Sequence, residues 1–189
     1  MSSELQRFNA LQRLLHWVMA ICILAMFFIG VGMVSTVSPK FVLLMETHKS
    51  LGVVILALVL IRLAVRLRYG VPELPNDLPV PMKLAAVLSH YALYALMIVM
   101  PLLGLALLFT ADYPVVIFGD IRIPRLLPQS DSLHTLFWNA HYYLAFCFFA
   151  LVLLHIAAAL FHALIRRDGV FEAMASLPSH GRPSVTSAE

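Results

Sequence analysis

The sequence predicts an all-α membrane protein, a bundle of four transmembrane helices. Three observations carry that expectation: a composition too apolar for water, four apolar stretches of spanning length, and basic residues gathered at the ends of those stretches. Of the 189 residues, 61% are hydrophobic and 12% charged, where a soluble domain carries about 25% charged residues. Too few polar groups remain to cover a surface in water, and a mean hydropathy of +0.90 agrees. Only short connections separate the apolar stretches, so one domain is expected over residues 1–177. The Ser-, Pro- and Gly-containing stretch 178–189 reads as a disordered tail.

A hydrocarbon core about 30 Å thick takes roughly 20 helical residues to cross. The candidate spans cover about residues 14–34, 48–65, 84–109 and 139–165. The first is longer than a signal-peptide core and no small-x-small cleavage pattern follows it, so it reads as retained. Pro101 is expected to kink the third. Pro72, Pro75, Pro79 and Pro81 keep the connection before it from being helical throughout. Arg7, Arg13, Arg62, Arg66, Arg68, Lys83, Arg166, Arg167 and Arg182 fall on one side, and Lys40, Lys49, Arg122 and Arg125 on the other. That bias places both termini in the cytoplasm. The formal charge of +3 is not gathered into the contiguous patch that nucleic acid requires, so lipid is the expected partner. Cys22 and Cys147 lie within apolar stretches and read as free thiols. No Cys-x-x-Cys-His occurs to attach a heme covalently.

The chemistry lies in the eight histidines. Ionisable groups inside a bilayer are costly and usually functional. His16 begins the first span at the inner side, His48 the second at the outer side, and His90 lies near the inner end of the third. His134, His141, His155 and His162 are separated by multiples of seven residues, which return a helix almost to the same face. The fourteen residues between His141 and His155 correspond to roughly 21 Å along a helix axis. That suits two metal macrocycles held at different depths by facing helices. Depth pairs His16 with His155 at the inner level and His48 with His141 at the outer level. Pairing His134 with His155, or His141 with His162, would keep the same face.

Imidazole also serves zinc and copper, yet no carboxylate lies among these histidines in the spans. Two b-type hemes, each between two histidines, fit better. The other reading of each histidine is a hydrogen-bonded contact between helices. His134 reads as a solvated loop residue, and His180 as part of the tail. Arg62, fourteen residues after His48, falls on the same helical face at the inner level. Its guanidinium suits a heme propionate, or it snorkels to the inner leaflet as Arg66 and Arg68 would.

Arg13-Leu-Leu-His16-Trp17, Glu46-Thr-His48-Lys-Ser-Leu-Gly52 and Leu60-Ile-Arg62-Leu-Ala-Val-Arg66-Leu resemble the first two helices of the bacterial cytochrome b561 family. Ser89-His90-Tyr-Ala-Leu-Tyr with Pro101-Leu-Leu-Gly104 is similar to its third helix. Asp131-Ser-Leu-His, His141, Leu154-His155 and Phe161-His162 are similar to its fourth. The resemblance runs over about residues 11–167. It implies a bacterial inner-membrane cytochrome with His16 and His155 as the inner heme ligands and His48 and His141 as the outer pair.

Among the activities the family implies is oxidation of superoxide with transfer of the electrons to ubiquinone. Lys40, Lys49, Arg122 and Arg125 would then steer superoxide to the outer side, offset by Glu46, Asp112, Asp120 and Asp131. His90 and His162, unligated at the inner end, would hydrogen-bond the quinone oxygens and pass a proton, or serve as polar contacts between helices. The alternative is a heme-bearing anchor that relays electrons from a periplasmic donor within a larger respiratory dehydrogenase or hydrogenase complex. Heme-free transport is a third reading, which a colourless purified protein would favour.

Overall fold

A computed structural model describes residues 7–111 and 114–175. The stretch 178–189, His180, Arg182 and Asp112 lie outside these residues. Four long helices are present: α1 (Ala10–Ser35), α2 (Lys40–Tyr69), α3 (Val80–Thr110) and α4 (Asp131–Phe161). Each is long and apolar enough to cross a membrane, as the composition requires. The chain is a multi-pass membrane protein. Between α3 and α4 a two-stranded antiparallel hairpin forms, β1 (Val115–Ile117) with β2 (Ile121–Ile123). After α4 come a π-helical turn (His162–Arg166) and a short helix, α5 (Val170–Met174).

The helices outrun the apolar stretches at their polar ends. Asn9 caps α1 through a reciprocal pair with Gln12: the Gln12 N–H donates to Asn9 Oδ1 at 2.8 Å, and the Asn9 N–H donates to Gln12 Oε1 at 3.2 Å. Helix α2 starts eight residues before His48, so only residues 36–39 connect it to α1, and His48 lies inside the helix. Lys40, Glu46 and Lys49 lower the hydropathy of that segment without opposing a helix. Glu46 and Lys49, one turn apart, pair at 2.6 Å. Ser130 caps α4, and Asp131 in its first turn complements the helix dipole. His134 is therefore not a loop residue: it sits in the first turn of α4 and donates from Nδ1 to the Leu107 carbonyl at 3.2 Å.

Helix α1 packs along α2, α2 against α3, and α3 along α4. No comparable backbone approach links α1 to α4, and these two meet through rings. Phe27 lies edge-on to Phe148 at 5.4 Å and to Phe149 at 5.3 Å. The buried core is Met19 and Ile23 of α1, Ile55 and Val59 of α2, Leu93 and Met97 of α3, and Phe148 of α4. Along every helix this layer falls between the levels of the histidines. One end of the bundle carries residue 7 and α5, and is called the terminal end; the other carries the hairpin. Val115 and Ile117 are buried against the bundle, and the Phe118 N–H at the hairpin turn donates to Ser50 Oγ at 3.0 Å. Phe118 and Gly119 both adopt positive φ, 51° and 83°, within the three-residue connection 118–120 between the paired Ile117 and Ile121.

Candidate functional site

Two pairs of imidazoles face each other across the bundle. His48 of α2 and His141 of α4 have ring centroids 6.1 Å apart with planes at 65°. His16 of α1 and His155 of α4 are 6.3 Å apart at 68°. Two imidazoles ligating one metal ion from opposite sides, with metal–nitrogen bonds of about 2 Å and roughly 1 Å more to each ring centre, have centroids about 6 Å apart. Both pairs meet that condition. Helical periodicity produces the arrangement: His141, Phe148 and His155 recur every seven residues on one face of α4. Phe148 fills the level between the two pairs.

Two glycines lie against the His48–His141 pair. A Cβ added at Gly104 would sit 3.6 Å from His141 Cε1, and one at Gly30 would sit 4.0 Å from His48 Cε1. Glycine lets the backbones of α1 and α3 run close to the outer imidazoles. His48 Nδ1 is buried with no hydrogen-bond partner, an unmet polar group of the kind that clusters at functional sites. Among the described residues, no group of three or more His, Cys, Asp or Glu could hold a metal ion. Among the described residues the arrangement is two separate pairs of facing imidazoles.

The terminal-end pair has further company. The His90 ring lies 5.4 Å from that of His155 at 86°, and its Nδ1 donates to the Ala86 carbonyl at 2.6 Å. Arg62 Nη2 donates to His16 Nδ1 at 3.0 Å, and its Nη1 lies 3.7 Å from Met19 Sδ. The guanidinium groups of Arg62 and Arg66 each sit 5.5 Å from the centre of the Tyr94 ring. With Phe8, Gln12, His90 and Met174, these three residues line a cleft. Among the described residues no carboxylate pairs with Arg62 or Arg66. The cleft offers two cations without an anion.

His162 is not drawn into either pair. Its Nδ1 lies 2.8 Å from Asp168 Oδ2, which also accepts from Arg166 Nε at 2.8 Å. Arg166 reaches on to Asp77 Oδ2 at 3.0 Å. Burial acts to raise the Asp168 carboxyl, but hydrogen bonds from Arg166, His162 and the Val170 N–H outweigh it and hold the group below the usual carboxylate range.

The structure thus brings together His16 with His155 and His48 with His141, and sets His90 and Arg62 beside the first pair. It does not bring His134 or His162 onto another histidine. Three contributors are not evident from the sequence. Tyr94 lies one turn after His90, a spacing that could have flagged it. Arg66 reads there only as an interfacial cation. Asp168 follows Arg166-Arg167 without any regular spacing to His162.

Comparison with known proteins gives this geometry its context. Residues 7–176 match the prokaryotic cytochrome b561 family. Cytochrome b561 homolog 1 of Escherichia coli (strain K12) is 30% identical over 167 residues, covering 87% of this chain and 94% of that protein. Cytochrome b561 homolog 2 of the same organism is 30% identical over 173 residues, covering 89% and 91%. A protein of Yersinia pestis named probable superoxide oxidase CybB is 32% identical over 122 residues, 64% of this chain and 68% of its own length. The match spans both histidine levels and all four helices, and on it the chain belongs to the prokaryotic cytochrome b561 family, membrane proteins that transfer electrons with b-type heme.

Proposed function

We propose that this chain is a di-heme cytochrome b that takes electrons from superoxide at the periplasmic side and delivers them to ubiquinone, a superoxide:quinone oxidoreductase. The observation that carries the reading is the pair of opposed imidazole couples, 6.1 and 6.3 Å apart, set two heptads apart on α4. His48 and His141 would hold one heme and His16 and His155 the other. Bound there, the hemes supply one-electron carriers at two depths of the membrane. The basic residues of the terminal end put that end in the cytoplasm. Lys40 and Arg122 lie at the hairpin end, where an anion such as superoxide would arrive; Lys49 there is already paired with Glu46. The name of the Yersinia pestis relative supports the choice of superoxide.

The protein's own groups do the remaining work. Arg62 can only donate, so its bond to His16 Nδ1 leaves the proton of that neutral ring on Nε2. A ligating His16 needs its Nε2 lone pair, so Arg62 must give up Nδ1 and becomes available to a carboxylate. Arg62 and Arg66 together suit the propionates of the inner heme. His90, with its Nδ1–H committed to the Ala86 carbonyl, keeps an Nε2 lone pair that can accept from a quinol hydroxyl at the terminal end, and His162 offers a second polar contact there.

The decisive measurement exposes the purified protein in detergent to superoxide and follows the heme spectrum with and without ubiquinone. Rapid heme reduction that quinone reverses is the expected result. Hemes that ignore superoxide overturn the assignment of the donor. A second reading, a heme-bearing relay subunit of a larger complex, draws on the apolar surface at the hairpin end, where Phe118 and Ile121 are each 55% exposed and Leu126 is 72% exposed. Co-purification of a partner in stoichiometric yield would favour it.

Gly104 gives a separate check on the outer site. Its hypothetical Cβ makes an ordinary contact with His141, so Gly104→Ala should keep both hemes. Gly104→Leu drives a branched side chain into the ring and should cut the heme content from about two per chain to about one, since crowding a filled site displaces its contents. Pyridine hemochrome stoichiometry reads the difference.

A further inference from the structure

At the terminal end the chain leaves α4 by a route that no regular helix takes. In a continuing α-helix, residues six apart are turned by roughly 240° about the axis, and Asp168 would point away from His162. Instead α4 widens into the π turn His162–Arg166, Arg167 adopts φ 51° and ψ 44°, and Gly169 adopts φ 84°. The chain reverses, and the Asp168 carboxylate comes back onto His162. A left-handed non-glycine residue is strained and persists where its surroundings hold it; single π turns are frequent at functional sites. Here the holding contacts converge on one carboxylate, which meets His162 and Arg166 at Oδ2 and the Val170 N–H at Oδ1.

The cluster runs from water inward. The Asp77 side chain is 76% exposed, that of Arg166 20%, and those of Asp168 and His162 only 9% and 13%. A carboxylate at Nδ1 fixes the tautomer and orientation of an imidazole and stabilises its protonated form. It also leaves Nε2 as the group that can give up a proton. We propose that Asp168 is the positioning residue of a proton-delivery dyad, in which His162 passes protons from the cytoplasmic side to the carbonyl oxygens of a quinone at the terminal end.

The proposal rests on the quinone-reducing role argued above. Two superoxide ions, one quinone and two protons give two molecules of oxygen and one quinol. In each proton transfer the Nε2–H bond of His162 breaks as a quinone O–H bond forms. The imidazole then regains its Nε2 proton from cytoplasmic water, while Asp168 keeps hold of the Nδ1–H. The charged groups around His162 are Arg166 at the end of the π turn, Arg167 and Asp168 just beyond it, Asp77 on the connection before α3, and Glu172 on α5, which packs against the turn.

The test uses the heme-loaded protein reduced with dithionite, so that superoxide plays no part, and follows heme reoxidation by a short-chain ubiquinone as a function of pH. Asp168→Asn keeps an acceptor for Nδ1 and removes the charge. It should slow reoxidation about tenfold near neutral pH, with the alkaline limb of the profile moved toward acid and the wild-type rate nearly restored at low pH. Asp168→Glu should return most of the rate, and His162→Gln should abolish the limb. Heme content and spectrum should match wild type in all three. Histidine-selective nitrogen NMR of the reduced protein should show the neutral His162 ring held as the tautomer protonated at Nδ1 in wild type and as a mixture of tautomers in Asp168→Asn. An unchanged profile, or a slowing that is uniform at every pH, would overturn the proposal. Failure of quinone to reoxidise even the wild-type hemes would instead remove the quinone reading itself, and the proposal with it.

Discussion

Replacing His155 with alanine should leave a chain with one heme in place of two and bring superoxide-driven quinone reduction down to background. His16 then loses the ring it faces at 6.3 Å, and a b-type heme without one axial histidine is held only by packing. The hairpin-end couple, His48 and His141, keeps its heme, because Phe148 and the buried layer around it separate the two levels. His141→Ala should do the converse, removing the hairpin-end heme and sparing the other. The controls are other histidines of the bundle, His90 of α3, His134 of α4 and His162 of the π turn. His90 lies 5.4 Å from His155 and is the one ring near enough to compete for ligation, so His90→Ala must retain both hemes if His16 and His155 are the axial pair. His134→Ala and His162→Ala should also retain two. Low-temperature optical spectra and heme stoichiometry give the count. A heme lost on His134→Ala, with His141→Ala unaffected, would reassign the register by one heptad.

The shared face of the α4 histidines is legible in the sequence because a helix converts spacing into position; the spacing alone leaves the register open by one heptad, and depth and the family resemblance choose His141 and His155. Histidines at 134, 141, 155 and 162 can share a face only on a helix, and the apolar run around them leaves no other element. The same arithmetic puts Arg62 at the level of the His16–His155 couple, where its guanidinium meets His16. Helix ends are less legible. The first turns of α2 carry Lys40, Glu46 and Lys49, which lower hydropathy without weakening a helix, so an apolar window starts late. His134 reads as solvated for the same reason, two turns outside the apolar run but inside α4. The hairpin is hidden by its brevity: Val-Val-Ile and Ile-Arg-Ile flank Phe118-Gly119-Asp120 with too few residues to show alternation. Asp168 is invisible for a different reason. Its meeting with His162 depends on a π turn and a left-handed Arg167, and neither has a periodic signature.

The electrostatics of the terminal end follow from what the bundle withholds. Arg62 and Arg66 share one Tyr94 ring, each 5.5 Å from its centre, with no carboxylate paired to them among the described residues. A guanidinium in a low-dielectric setting is expensive without a counter-charge. A carboxylate-bearing cofactor at the His16–His155 level would relieve that cost, and the same cations would then act on the cofactor's redox equilibrium.

Arg62→Gln tests this with a sign fixed in advance. Reduction adds an electron, so a nearby cation favours the reduced form, and removing the cation must lower the midpoint potential of the heme at the terminal end. A single charge at protein-like dielectric is worth about one to a few kcal/mol at contact-scale distances. A one-electron couple shifts by about 59 mV per tenfold change in equilibrium. The expected fall is therefore roughly 50–100 mV at the terminal-end heme, with the hairpin-end heme moved far less because the core layer lies between them. Glutamine's amide oxygen can accept from the Nδ1–H of a ligating His16, so a loss of heme is not expected, and a spectroelectrochemical titration should still resolve two components. Arg62→Lys restores the charge without the planar fork and should recover most of the potential. A potential that rises on Arg62→Gln, or that falls equally at both hemes, would mean that Arg62 acts through the fold and not through its charge.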